Sequence, residues 1–388
     1  MDIANLKVLV CVNEFWGAWN TAWGGYGFLA RMLLPKALGV RPENFHVCLG
    51  RRKGGFVGKF LTVEKRTTEE GYTLLKLPRI KRLAARIVNS YDLVISIEAT
   101  VPFIFYLDGY LKKKILFWVQ DPRETSDWDR FKTIKCAAEC NYYSQKDYDQ
   151  VSKCFRDGGV KFVTQGRCLS EKAIRLYKLP ADTPMDFLPN PIEIDYRISE
   201  LGSKEDAVIF LGRLDTQKRG WIFCEIAKRM PQYQFYMMGQ SSDDFESSQN
   251  GFVNKYAGLA NLHFMGRCVG QKKDSMLRKA RILVNCSIHE GVPVSFLEAF
   301  WYGDCVISSL DPDNLVSRFG IALKRSDGDG YDSVDGFVDA ISTVLEDREL
   351  WLSKVTKAYE YVSKVHCHEA FRKSLAAMAD GLELKKVE

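Results

Sequence analysis

Two glutamates eight positions apart, Glu290 and Glu298, bracket the run HEGVPVSFLEAFWYG, and the apolar run RILVNCS stands directly ahead of it. The pattern predicts a strand from Arg281 to Ser287, a loop carrying His289, Glu290 and Gly291, and a helix that Pro293 opens and Gly303 closes. Backbone N–H groups at such a helix start, from Val292 through Val294 to Ser295, attract anions and sugar hydroxyls. Glu290 would stand in front of that start. Glu298 would lie one turn inside on the exposed face, with Phe296, Leu297 and Phe300 turned inward. The plain alternative is a pair of solvated helix-end charges. A second run bears on the choice: the strand-like DAVIFLGRL ends at Arg213 and leads to Asp215, Thr216, Gln217 and Lys218. Open α/β sheets bind ligands outside the carboxyl ends of their strands, so two cations and two carboxylates would share one crevice, with a diphosphate bridging them.

FLGRLDTQKR, NLHFMG, HEGVPVSFLEAFWYGDCVISS and the earlier DFLPNPIEID together resemble a retaining glycosyltransferase of the GT-B fold, family 4 type. The resemblance runs over nearly the whole chain, in residues through the carboxyl-terminal half and mainly in layout before it. It implies an α/β protein of two Rossmann-like doubly wound parallel-sheet domains facing a cleft, with the last helix crossing back to the first domain. It also implies that Arg213 and Lys218 hold the diphosphate of a UDP- or GDP-linked sugar and that Glu298 binds the ribose. Glu290, with the backbone from Gly291 through Val292 and Pro293 to Val294, would hold the sugar, and His263 and Arg267 lie where the base is expected. The nucleotide-sugar would be substrate rather than cofactor, and no metal is called for.

The acceptor side is expected in the first half. KVLVCV runs into NEFWGAWNTAWGGYG, where Gly24, Gly25 and Gly27 permit close backbone approach to the donor diphosphate. Trp16, Trp19 and Trp23 in that loop either stack on an acceptor sugar or fill core. KILFWVQD carries Gln120 and Asp121 where many family members have a His, so no catalytic histidine is assigned. Gln120 would donate a hydrogen bond to the donor sugar, and Asp121 or Glu98 would orient an acceptor hydroxyl. Arg123, in QDPRETSDWDRF, would contact an acidic group, while Asp127 to Asp129 either join that loop or cap the next helix.

The elements needed to position these groups alternate as strand and helix throughout. With 388 residues the chain exceeds one core, and the expected divisions are 1–190, a Pro/Gly/Ser linker at 191–205, a nucleotide-sugar domain at 206–364 and a final helix at 365–388. KVLVCV, NFHVCLG, DLVISIE, KILFWVQ, CNYYSQ and VKFVTQG are read as the first set of strands, and DAVIFLG, YQFYMMG, NLHFMG, RILVNCS, DCVISS and GIALKR as the second. No apolar run approaches a membrane span, and the opening MDIANLKVLVCV lacks the features of a secretory signal. Eleven cysteines without a CxxC pair suit buried thiols in a reducing cytosol. His366 and His368 lack neighbouring ligands and are read as structural. GGFVGKF, from Gly54, fails the phosphate-loop pattern at Lys53 and Phe60.

The stretch from Arg51 to Arg86 is rich in Lys and Arg against only Glu64, Glu69 and Glu70. Its end, RIKRLAARIVNS, forms an amphipathic helix with Ile80, Leu83, Ala84, Ile87 and Val88 inward. The basic face is either solvated or a peripheral contact, through 51–90, for anionic lipid. Without interleaved aromatics it does not suggest nucleic acid. The expected partners are a nucleotide-sugar donor and a carbohydrate or lipid-linked acceptor, and the expected location is cytoplasmic, with or without membrane association. A nucleotide-sugar epimerase of the same fold and a catalytically silent binding subunit are the competing readings.

Overall fold

The computed structural model describes residues 3–52, 61–136, 144–240, 252–378 and 382. The expected strand CNYYSQ falls largely outside these, as do the rejected phosphate loop and part of the basic stretch. The described chain forms two compact units, one from 3–122, 144–192 and 366–382, the other from 123–136 and 193–365.

The first unit holds an eight-stranded sheet. Its strands are β1 (Val8–Cys11), β2 (Phe45–Arg51), β3 (Glu64–Thr67), β4 (Thr73–Leu77), β5 (Leu93–Ile97), β6 (Ile115–Val119), β7 (Val160–Thr164) and β8 (Asp186–Phe187), in spatial order 3-4-2-1-5-6-7-8. All pairings are parallel except β3 with β4. β1, β5 and β6 are buried at every position, as apolar strands must be when both faces of a parallel sheet are covered. Alternate residues divide between two layers. Leu9 and Cys11 join Phe105, Phe117 and Phe162 on one face, whereas Val8 and Val10 join Leu34, Phe371 and Leu375 on the other. Phe371 and Leu375 come from the helix His368–Met378, so the end of the chain packs into the first unit's core.

The edge strand β3 and its neighbour β4 are absent from the strands expected above, because EKRT is polar and a lysine interrupts the apolar residues of TLLKL. The basic helix forms over Lys81–Val88 with Ala84, Ala85 and Val88 buried, but Ile80 precedes it and stays 43% exposed instead of turning inward. No helix among the described residues is long and apolar enough to cross a membrane, and no disulfide forms among them.

The second unit holds six parallel strands, β9 (Ala207–Leu211), β10 (Gln234–Met238), β11 (Leu262–Gly266), β12 (Ile282–Asn285), β13 (Cys305–Ser308) and β14 (Ile321–Ala322), in spatial order 11-10-9-12-13-14. The order reverses between β9 and β12, the topological switch point of a doubly wound sheet.

Segment 123–136 groups with the second unit, although the sequence places it inside 1–190. Asp329 Oδ1 accepts the backbone N–H groups of Lys135 (2.7 Å) and Cys136 (3.0 Å), and Thr133 Oγ1 accepts that of Gly328 (2.9 Å). These partners lie nearly two hundred positions away, so no local pattern announces them.

Candidate functional site

The loops that follow β9 and β12 leave the sheet side by side at its switch point. After β9, Asp215 organises the turn: its Oδ1 accepts the Lys218 N–H (3.1 Å) and its Oδ2 pairs with the Arg213 guanidinium (3.0 Å). Arg213 remains 55% exposed. Lys218 instead turns inward, and its ammonium is bonded to Glu290 Oε1. The same carboxylate oxygen accepts from Ser287 Oγ (2.5 Å) and Asn285 Nδ2 (3.4 Å).

The loop ahead of Glu290 is braced carbonyl by carbonyl. Arg219 donates to the carbonyls of Cys286 (2.8 Å) and Ser287 (3.4 Å), Arg325 to that of Ile288 (3.1 Å), and Gln217 Nε2 to that of His289 (2.8 Å). Gln217 in turn accepts from Arg123 (2.7 Å), and His289 Nδ1 lies 3.2 Å from Asp127 Oδ1. Buried backbone groups need such partners, and here four consecutive ones fix the approach to a single carboxylate. Arg219 is itself buried, and desolvation lowers its pKa.

Gly291, Val292 and Pro293 form a buried turn, and Val294 begins the helix Val294–Tyr302, which ends on Gly303 at φ 76°. That helix is covered on nearly all sides, so Glu298 is buried rather than exposed as expected, and its carboxylate is bonded to Lys273. Lys273 comes from the helix Gln271–Lys279. Arg267 follows the carboxyl end of β11, but His263 sits near that strand's beginning, bonded to Gln234 (2.8 Å) and stacked on Tyr236. At about 3.3 Å per residue it lies roughly 10 Å from the strand end where a ligand is expected, which removes it from the base site.

In the first unit the loops after β1 and β5 flank that sheet's own switch point. A Cβ at Gly24 would stand 2.4 Å from the Glu14 carboxylate and displace that side chain, whereas Gly27 is required, because a Cβ there would stand 2.6 Å from the Trp16 backbone nitrogen. Both of their N–H groups, however, bond to Glu14 (3.0 and 2.8 Å), so an internal anion occupies donors assigned above to a diphosphate. Nothing crowds Gly25. The tryptophans differ in role. Trp16 packs edge-on to Trp23 and Phe28, and Trp19 lies under Arg66 and Lys76. Trp23 is 43% exposed, the most open of the three. Trp16, Trp19 and Asn20 all have positive φ, a strained backbone of the kind that concentrates in binding loops.

Gln120 and Glu98 do not present free polar ends. Gln120 Nε2 donates to Asn190 Oδ1 (3.0 Å), Asn190 Nδ2 donates to Gln165 Oε1, and Gln165 Nε2 donates to the Gln120 carbonyl (2.6 Å), closing a buried ring of amides. Glu98 accepts the N–H groups of Gln120 (2.6 Å) and Asp121 (2.8 Å) and the Tyr177 hydroxyl (3.0 Å). It is therefore a buried brace for the β6 end, not an acceptor-facing group. Asp121 stays half-buried beyond that brace, and Arg123 is buried in the second unit against Gln217, Trp128 and Phe131. Asp127 both bonds the Glu124 N–H (2.9 Å), closing a capping box, and meets His289.

Burial raises the Glu98 carboxyl to about 7, against the opposing pull of its hydrogen bonds. A raised carboxyl pKa makes its contribution full below about 4.5, with that contribution lost as pH rises through about 7. Glu98→Gln keeps an acceptor for both N–H groups and never ionises. Urea unfolding is expected to show the loss of stability between pH 5 and 8 reduced by about 3 kcal/mol in this variant.

The residues that sequence reasoning missed are mostly braces: Glu14, Arg219, Lys273, Asn285 and Ser287. Asn285 and Ser287 stand five and three positions ahead of Glu290, a spacing that offered a signal. Glu14 and Lys273 meet their partners only through the fold.

A family model described as "Glycosyl transferases group 1" matches residues 205–347. The GalNAc-alpha-(1->4)-GalNAc-alpha-(1->3)-diNAcBac-PP-undecaprenol alpha-1,4-N-acetyl-D-galactosaminyltransferase of Campylobacter jejuni is 30% identical over 129 residues, 31% of this chain and 34% of that protein. The phosphatidyl-myo-inositol mannosyltransferase of Mycolicibacterium smegmatis is 28% identical over 166 residues, 40% of each. The matched stretch thus spans about a third to two fifths of these curated relatives. Among solved structures, Anabaena HepE in complex with UDP and glucose aligns with a TM-score of 0.71 at 12% identity, covering 97% of this chain and 100% of that one. Sucrose-phosphate synthase from Thermosynechococcus elongatus aligns at 0.67 and 14%, covering 96% and 98%. These likenesses establish the GT-B fold, and within it residues 205–347 form a domain of the glycosyl transferases group 1 family.

Proposed function

We propose that this chain is a metal-independent, retaining glycosyltransferase of family 4 type, moving a sugar from a UDP- or GDP-linked donor to a hydroxyl of a glycan or lipid-linked acceptor. The reading is carried by one observation: Lys218 and Glu290, from the loops after β9 and β12, meet at the switch point of a group 1 domain. A cation paired with a carboxylate at that position suits a donor whose diphosphate takes the ammonium and whose sugar hydroxyls take the carboxylate. Arg213, exposed beside it, adds a second charge for the departing phosphate. Glu298 binds the ribose on giving up part of its contact with Lys273.

In the reaction the bond from the anomeric carbon to the phosphate oxygen breaks, and a bond to the acceptor oxygen forms on the same face. The acceptor proton passes to the departing phosphate, so no protein base is needed, in keeping with Glu98 and Gln120 being tied into buried networks. Asp121 and Trp23 are left to orient the acceptor. The two curated relatives are named for undecaprenol- and phosphatidylinositol-linked substrates, which favours a lipid-linked acceptor here. The exposed Arg79, Lys81, Arg82 and Arg86, with Ile80 beside them, suit contact with an anionic membrane surface on the cytoplasmic side.

A thermal-shift screen of nucleotide diphosphates and their sugars tests the donor assignment, since a ligand at a hundred times its Kd stabilises by about 2.7 kcal/mol. A hit for one UDP- or GDP-sugar is expected, followed by transfer when lipid-linked saccharides are added. Stabilisation by no nucleotide, or conversion of the donor sugar without any acceptor, would overturn the reading.

A further inference from the structure

The two helices that bring Lys273 to Glu298 are tied at their other ends by one ammonium. Lys204 Nζ donates to the carbonyls of Leu277 and Ala280 (2.7 Å each), at the end of helix Gln271–Lys279, and to Asp304, just past helix Val294–Tyr302. Both the Lys204 and Asp304 side chains are wholly buried. The cation sits where the helix dipoles are negative. The rest of the linker docks on the same two ends. Arg278 is bonded to Glu200 and to the Asp195 carbonyl, Tyr196 packs on Tyr302, and the Glu205 N–H bonds the Lys279 carbonyl (2.8 Å). Leu201 fills the space beside Gly303, where a Cβ would stand 2.3 Å from its Cδ2.

Lys273 precedes Leu277 by one helical turn, and Glu298 precedes Asp304 by less than two, roughly 6 and 9 Å along the helices. Over such distances a helix moves as a rigid body, so the end that Lys204 holds fixes where Lys273 and Glu298 meet. We propose that Lys204 is a positioning residue for the nucleotide site, coupling occupancy at Glu298 to the docking of linker 195–205. The inference rests on the reading of Glu298 as a nucleotide contact. Coupling is reciprocal: nucleotide that engages Glu298 tightens the linker, and a loosened linker weakens nucleotide.

Removing the ammonium alone would strand a buried carboxylate, so the test variant is K204M/D304L. Replacing a buried ion pair by apolar groups of similar volume is often neutral for stability. With UDP and GDP as probes, the variant is expected to melt below the wild-type temperature, because the Leu277 and Ala280 carbonyls lose a donor, yet to remain folded at the assay temperature and bind the preferred nucleotide about tenfold more weakly. It should also weaken binding less in an E298Q background, as coupled sites require. D304N, which keeps the two carbonyl bonds of Lys204, is expected to stay within threefold of wild type. In the wild-type protein, saturating nucleotide should slow hydrogen exchange at the Glu205 amide more than at the Leu323 amide, which bonds Ser308 on the far side of the sheet. Unchanged affinity in K204M/D304L, equal losses with and without E298Q, or no added protection at Glu205 would each overturn the coupling while leaving the donor reading intact. Binding of neither nucleotide by the wild type would overturn both.

Discussion

Lys218→Ala is expected to lower sugar transfer about a hundredfold, with a smaller loss in donor affinity. A cation about 4 Å from a phosphate charge contributes roughly 4 kcal/mol at an effective dielectric near 20, and part of that is spent on desolvation. About 2.7 kcal/mol remaining in the transition state corresponds to a hundredfold in rate. The loss falls on kcat more than on binding because charge on the phosphate grows as the anomeric bond breaks. Lys218 has a second task. Its ammonium pairs with Glu290, whose Oε1 also accepts from Ser287 and Asn285. The variant therefore leaves a nearly buried carboxylate short of a partner. Glu290→Gln combined with Lys218→Ala should lose less than the two single effects multiplied, because the pair acts as a unit. Steady-state transfer from the donor identified by the screen measures this. A single variant within threefold of wild type would remove Lys218 from the machinery.

The sheets of both units were largely legible, because buried parallel strands are short apolar runs ending in glycine or polar residues, as in VLVC, ILFWV and ILVN. The strand pair β3 and β4 was not, since β3 is a polar edge strand open to solvent and the apolar residues of β4 are interrupted by Lys76. In the site, Lys218 and Glu290 were both chosen from sequence, and the structure joins them directly. Glu298 was placed on the correct helix but on the wrong face. Helix Val294–Tyr302 is covered nearly all round, and the periodicity of one helix cannot reveal a second helix supplying Lys273. His263 was chosen from its motif, yet it is the second residue of β11 and lies at the end of the sheet away from the strands' carboxyl ends. Glu98 and Gln120 looked available because they end strands. Their partners Tyr177, Gln165 and Asn190 lie dozens of positions on, and only the fold shows that these polar groups satisfy one another. Segment 123–136 groups with the second unit for the same reason: the chain order that placed it in the first domain says nothing about Asp329 accepting the Lys135 and Cys136 N–H groups, or about the pairs Arg123 with Gln217 and Asp127 with His289.

Gly239→Ala is expected to destabilise the second unit by about 3 kcal/mol and to disorder the Arg213 loop with it. A Cβ at residue 239 would stand 2.0 Å from the Gly212 carbonyl oxygen and 3.2 Å from Leu214 Cδ2. The obstacle is backbone, so no rotamer change relieves it. The Gly212 peptide cannot retreat cheaply either, because its N–H bonds the Met238 carbonyl (3.1 Å) and the Leu214 N–H bonds the Gln240 carbonyl (3.2 Å). These two bonds carry the β9–β10 pairing past the sheet and set the path on which Arg213, Asp215 and Lys218 follow. Pushing Gly212 aside breaks that path at its root. Hydrogen exchange at the Gly212 and Leu214 amides should accelerate far more than at β13, and nucleotide affinity should fall with it. The control is Gly336→Ala, inside helix Val334–Glu346 with nothing within 4 Å of the added methyl. Relieved of glycine's unfolded-state entropy, it is expected to gain about 0.5–1 kcal/mol. Equal effects of the two substitutions on urea unfolding would show that the close approach of residues 212 and 239 does not hold the loop.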